Sequence, residues 1–183
     1  MTAYLRCLTL FLAAGLITGS QGAEPTRCLI ERNSIFGIHQ GVTLGAIKAR
    51  DKSIRLSRTS DGDGASLIVV HRGGQDLLLV AVDDEGEGPI DLRKQAAGLE
   101  TFSPLCQTRE GVGPGLSIRA AADIYGPVES IVESEIEARQ YVRFKHQPAG
   151  LEFRIDNSCL FAGNRKRTRQ YRPEGKILSV LVP

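Results

Sequence analysis

Tryptophan is absent from this 183-residue chain, and aromatic residues make up only 5% of it. Platforms that stack sugars or nucleobases are built from such side chains, so the chain is poorly equipped for either. A surplus of one charge is lacking too. The 23 Lys and Arg against 21 Asp and Glu leave a formal +2, which removes any global electrostatic reason to expect nucleic acid as a partner. Metal-ligand spacing is missing: there is no Cys-x-x-Cys, and no histidine stands at ligand distance from a cysteine. The three histidines, His39, His71 and His146, sit in neither a Gly-x-Ser-x-Gly elbow nor a His-Glu-x-x-His helix. They are read as structural or surface residues. No catalytic residue and no cofactor or metal are assigned.

What is present begins with an address. Arg6 precedes a thirteen-residue apolar run, Cys7 to Gly19, and Ser20-Gln21-Gly22-Ala23 offers small residues for cleavage. This is the layout of a secretory signal peptide. The run falls short of the ~20 residues a membrane span needs. Cleavage near Gly22 or Ala23 would leave a mature chain of about 160 residues, exported to the periplasm or beyond and without a transmembrane segment. Cys28, Cys106 and Cys159 survive cleavage. In an oxidising compartment one disulfide is expected among them. Three pairings are open, and spacing does not choose between them.

Two stretches of the chain resemble each other at an offset of 74 residues. Gly41-Val42-Thr43-Leu44-Gly45-Ala46-Ile47 corresponds to Gly115-Leu116-Ser117-Ile118-Arg119-Ala120-Ala121. Held without a gap, the offset sets Leu67–Val70 on Tyr141–Phe144 and Leu77–Val82 on Leu151–Asp156. Thr43 and Ser117 stand where a hydroxyl can cap a helix. Gly126-Pro127 stops the second helix. Alternating segments beginning at Ile54, Ser66, Leu77 and Leu99 predict four strands after the first helix. Segments at Val128, Gln140, Leu151 and Ile177 predict four after the second. The glycine turns Arg72–Gln75 and Gln147–Gly150 lie between them. The expected fold class is α+β: two tandem helix-plus-antiparallel-sheet repeats, a helix then about four strands each. The expected organisation is a signal peptide over 1–22, a first repeat over 23–104 and a second over 105–183, forming one compact unit.

The helix start Gly41-Val42-Thr43-x-x-x-Ile47, with Gly115-Leu116-Ser117 as its second copy, resembles the Gly-Met-Thr-x-x-x-Val of two families. These are the β-lactamase-inhibitor-protein-like fold and the small outer-membrane assembly lipoproteins of the BamE type. The likeness covers about a dozen residues per half. It implies the layout of the fold and no activity. The lipoprotein cysteine of the assembly factors has no counterpart after the cleavage site.

Several segments invite a chemical reading and are better explained by folding. Asp61-Gly62-Asp63-Gly64 begins like a calcium loop, but position twelve is Arg72 rather than Glu, so a hairpin turn is expected. Asp83-Asp84-Glu85-Gly86-Glu87-Gly88 reads as a solvated acidic loop, and Glu133, Glu135 and Glu137 as a solvated face. Gly111-Val112-Gly113-Pro114-Gly115 lacks the lysine of a P-loop.

The segment that stands out is Arg165-Lys166-Arg167-Thr168-Arg169-Gln170-Tyr171-Arg172, where five of eight residues are basic and the 74-residue register breaks. Arg165, Lys166, Arg167, Arg169, Tyr171 and Arg172 are the candidate binding residues. Strand alternation would set Arg165, Arg167 and Arg169 on one face. Their partner would be an envelope protein or another anionic envelope component. The sequence therefore points to an exported, non-enzymatic binding protein of the cell envelope, an adaptor or inhibitor. The alternatives are a hydrolase-type enzyme with a site between the two halves, or a purely structural envelope protein.

Overall fold

The computed structural model describes residues 27–62, 64–83, 88–134, 138–157, 160–161 and 166–183. The amino-terminal segment with its leader-like sequence lies outside them, as do Cys159 and Arg165. Among the described residues no helix is long and apolar enough to cross a membrane.

Three short strands come first: β1 (Cys28–Glu31), β2 (Ser34–Ile35) and β3 (Ile38–His39). Helix α1 (Leu44–Ala49) is followed by β4 (Ile54–Ser60), β5 (Ser66–Arg72), β6 (Gln75–Ala81) and β7 (Gly98–Thr101). Strand β8 (Cys106–Thr108) leads to α2 (Ile118–Tyr125). The chain ends with β9 (Val128–Glu133), β10 (Gln140–Phe144), β11 (Glu152–Ile155), β12 (Arg167–Thr168) and β13 (Ile177–Val182).

The α+β fold of two tandem helix-plus-antiparallel-sheet repeats is not the architecture that forms. The protein is mostly β, with two short helices and one large antiparallel sheet of nine strands, in the order β12-β9-β10-β11-β13-β7-β6-β5-β4. The separate sheets expected for two units are absent because their last strands pair with each other. Val180, Leu181 and Val182 of β13 face Thr101, Glu100 and Leu99 of β7. The helices are short for local reasons. Helix α1 buries only Leu44 and Ile47, and α2 stops at Gly126, whose φ of 81° any side chain would resist, just before Pro127. A second sheet, β3-β2-β1-β8, is built from the chain before α1 and the strand before α2.

The helix starts behave as capping chemistry requires. Thr43 Oγ1 accepts from the Ala46 N–H at 3.2 Å, and Ser117 Oγ from the Ala120 N–H at 3.1 Å. The backbone around them recurs as well. Leu44 N–H donates to Lys94 O, and Ile118 N–H to Gly175 O. Gly41 N–H donates to Ala96 O, and Gly115 N–H to Ile177 O. Each helix start is thus stitched to the approach of the last strand of its own half.

The ungapped offset does fail inside the sheet. Val70 pairs with Leu78 but His71 pairs with Asp76, so Leu77 is an extra residue at a β-bulge. Beyond the bulge Leu78 and Val80 point into the core, while Glu152 and Arg154, their partners at offset 74, do not. A shift of one residue moves every side chain of a strand to the opposite face.

The core lies on one side of the large sheet. Leu44 and Ile47 from α1, Ile118 and Ala121 from α2, and Ile30, Ile35 and Ile38 from the small sheet join Ile68, Val80 and Val180 in a single buried cluster. Its densest part is a ring triad. Tyr125, Phe144 and Phe153 have centroids 5.9–6.2 Å apart, and each fully buried Phe contributes about 1.5–3 kcal/mol. Cys28 and Cys106 are opposite one another in the parallel β1–β8 pair and form a disulfide. Of the three pairings open to the sequence this is the one made.

Candidate functional site

Alternation sends half of each strand's side chains away from the core. On the far side of the large sheet no described helix or strand packs. Val69 is only 9% exposed there yet does not belong to the core cluster, so the surface itself is recessed. The recess is a chain of cavities. One of about 510 Å³ lies over Val69, Leu79 and Leu105, with Phe102 at its edge. A second of about 620 Å³ shares Val69, Leu79 and Phe102 and extends over Ala81 and Leu181. A third of about 530 Å³ lies over Val132, Tyr141, Arg143 and Arg167 and meets the second at Pro183.

The floor of this trough is apolar toward β5–β6; toward β9–β12 it carries Arg143 and Arg167 beside Glu152, with Glu129 3.7 Å from Arg143. Between the two ends stands a small polar girdle. Ser179 Oγ donates to Glu100, and the Arg154 guanidinium is 3.7 Å from the same carboxylate and 5.8 Å from the Phe102 ring centroid. Arg154 and Glu100 thus offset each other's charge where the cavities meet.

At the β4–β5–β6 end of this face three side chains form a hydrogen-bonded row. Ser57 Oγ is 2.7 Å from His71 Nε2, and His71 Nδ1 is 2.6 Å from Asp76 Oδ1. The carboxylate can only accept, so Nδ1 carries the proton, and in the neutral imidazole Nε2 is the acceptor of the Ser57 hydroxyl. Register explains the meeting. Arg55 and Val69 are the direct cross-strand partners of His71 and Ser57, so Ser57 and His71 are diagonal neighbours on one face. Asp76 reaches that face only because Leu77 is bulged out. Next to the row, Arg72 Nε donates to Asp51 at 3.1 Å. The Ser53 backbone N–H, the Ser53 hydroxyl and then Arg72 hold Asp51 below the usual carboxylate range.

Sequence spacing gave no sign of this row, since 14 and 5 residues separate its members and no motif encloses them. The usable signal was strand phase. With Ile54, Ile68 and Val70 in the core, Ser57 and His71 must share the opposite face.

The arginine-rich segment is divided by the fold. Strand β12 has two residues, so the expected three-arginine face does not form. Arg167 faces Val132 and lines the trough. Arg169 turns the other way, donates to Glu129 O at 2.9 Å and lines a cleft with Arg119, Asp123 and Tyr171. Tyr171 packs against the core, Lys166 and Arg172 are exposed, and Arg165 lies outside the described residues. The Asp61 segment is a hairpin turn, with Asp61 Oδ1 accepting from the Ala65 N–H and Asp61 O from the Gly64 N–H. Asp63, residues 84–87, Glu135 and Glu137 lie outside the described residues. Among the described residues no group of His, Cys, Asp and Glu is placed to hold a metal ion.

Fold and face together define a mostly-β protein whose large antiparallel sheet is covered on one side and open on the other. Among solved structures it is similar to the uncharacterized protein YfeY from Escherichia coli. The TM-score is 0.53 at 10% identity, covering 84% of this chain and 98% of that one, a likeness of fold. No protein-family model matches the chain, and no curated protein matches it significantly.

Proposed function

We propose that this is an exported binding protein of the cell envelope that seats an extended, partly apolar segment of another envelope protein along its open sheet face. The observation that carries the reading is the joined trough, apolar over Leu79, Ala81 and Leu181, with Arg167 at its other end beside the Arg143–Glu129 pair. A partner with an acidic flank beside an apolar stretch would be complementary to it. Export is supported by the leader-like first 22 residues and by the Cys28–Cys106 disulfide, a bond that persists in oxidising compartments. In this reading residues 23–104 and 105–183 are two related segments that each contribute part of one binding sheet, and Arg167 is the member of the basic segment that meets the partner.

The test is affinity capture from envelope extract with the mature chain, beside Leu79→Glu/Leu181→Glu and Arg167→Glu variants shown to be folded by circular dichroism. Loss of one and the same partner from the first variant, and weaker capture by the second, is the expected result. Capture of an identical set by all three would end the proposal.

A further inference from the structure

We propose that Ser57 is an activated nucleophile, with His71 as its general base and Asp76 as a positioning residue, and that the row transfers acyl groups from carboxylic esters. The geometry is that of a working serine site: hydroxyl to Nε2 at 2.7 Å, Nδ1 to carboxylate at 2.6 Å, both within hydrogen-bond reach. Nucleophile, base and orienting carboxylate come from three adjacent strands, a more rigid support than a loop.

Two further observations set the row apart from a chance contact. The first is the bulge. Were Leu77 paired in regular register instead of bulged, the alternation running down β6 from Val80 and Leu78 would turn Asp76 toward the core. The bulge presents it to His71 instead. The β10–β11 pairing of the other half runs without such a shift. The second is the neighbouring cavity of about 510 Å³. It begins at Asp76 and at Val69, the cross-strand partner of Ser57, and continues over Leu79 to Phe102. Asp76 is the member of the row on its lining, so an apolar acyl group lying there would extend from the row toward Phe102. This assignment of substrate class rests on the open-face reading above; the nucleophile does not.

The chemistry balances with water alone. Ser57 Oγ attacks the ester carbonyl and its proton passes to His71 Nε2. The C–O bond to the alcohol breaks, and the alcohol leaves with that proton. Water then attacks the acyl-serine, His71 takes a proton from it, and the acid departs as the proton returns to Ser57. Among the described residues, the charged and titratable groups directly across from His71 are Asp76 from β6 and Arg55 from β4. The Arg55 guanidinium is turned back onto the Lys52 and Ile54 carbonyls.

The experiment uses the mature disulfide-bonded chain, a fluorophosphonate probe and p-nitrophenyl butyrate. Mass spectrometry is expected to find one phosphonyl group per chain, on Ser57, and none on Ser57→Ala. His71→Ala should slow both labelling and ester hydrolysis by about 10²–10⁴-fold. Asp76 is 76% exposed, so Asp76→Asn should act more gently. It should leave KM unchanged and lower kcat, the split expected of a carboxylate that orients the base without touching substrate. Leu79→Glu should raise KM for the butyrate while Ser57 still labels. An unchanged KM there would remove the substrate assignment alone. An unlabelled Ser57, or hydrolysis by Ser57→Ala at the wild-type rate, would overturn the proposal.

Discussion

The two halves of the large sheet, β4–β7 and β9–β13, are held by matching bonds and carry different chemistry. Both helix starts are capped by a hydroxyl three residues before the N–H it accepts from, and both are tied by the same backbone bonds to the approach of the last strand. At the position where α2 ends in buried Tyr125, the first half has the ion-paired Asp51. Where the first half has Ser57, His71 and Asp76 on its open face, offset 74 gives Ile131, Lys145 and Gly150. In the second half the core is filled by Phe144 and Phe153; in the first by Val70 and Val80. Backbone satisfaction is thus common to the halves, while side-chain volume and polar chemistry are not. The common bonds account for the scaffold, so the places where the halves diverge are where function is to be sought.

The largest effect should come from the bond that belongs to neither half of the sheet. Cys28–Cys106 closes a separation of 78 residues, which the chain-entropy relation converts to about 4.5 kcal/mol. Cys28→Ala/Cys106→Ala should lower the denaturation free energy by an amount of that order, read from urea melts. The core contrast comes next. Phe153→Ala should cost about 3–5 kcal/mol, because Tyr125 and Phe144 lose a ring contact and a cavity opens. Val80→Ala, at the structurally equivalent place, should cost about 2 kcal/mol. Equal losses would mean that the halves are packed alike after all.

The strands were legible because alternation survives in Gln140–Phe144 and Glu152–Ile155, and the caps because Thr43 and Ser117 follow glycines at the start of apolar stripes. What could not be read was joining. Leu99–Thr101 and Val180–Val182 each look like a closing strand, and nothing local says that each is the other's neighbour. The small sheet was missed for a related reason. Its strands are two to four residues long and pair through Cys28 and Cys106, far apart in the chain. The serine–histidine–aspartate row was hidden by a single residue. An ungapped register puts Leu77 in phase with Leu151, and the bulge that turns Asp76 outward leaves no mark in composition. The basic segment was legible as charge and not as shape, since Thr168 ends the strand that would have aligned its arginines.

The caps give a smaller and more even test. Thr43→Ala and Ser117→Ala should each cost about 1 kcal/mol, since each leaves one N–H of the first turn without its side-chain acceptor. Urea melts that differ by more than the error between the two variants would show that the helix starts are not equivalent.

The gentlest test separates the halves by pH. In the first half, Asp51 is held below the usual carboxylate range by Ser53 and Arg72. Its contribution is therefore present above the unfolded carboxylate pKa, near 4, and fades as pH falls through the lower folded value. In the second half, burial is the main cause that pushes the Tyr125 hydroxyl up to about 12, with the Glu110 carboxylate adding to it against the Thr108 hydrogen bond. Its contribution is present below the unfolded tyrosine pKa, near 10, and is lost as pH rises toward about 12. The first half should thus weaken toward acid and the second toward alkali. Asp51→Asn should flatten the acid side of a plot of melting temperature against pH and leave the alkaline side alone. Tyr125→Phe should do the reverse, and should remove a component of the tyrosinate absorbance that titrates at about 12. If one substitution flattened both sides, the two helix ends would be acting as a single electrostatic unit, and the contrast between the halves would be confined to packing.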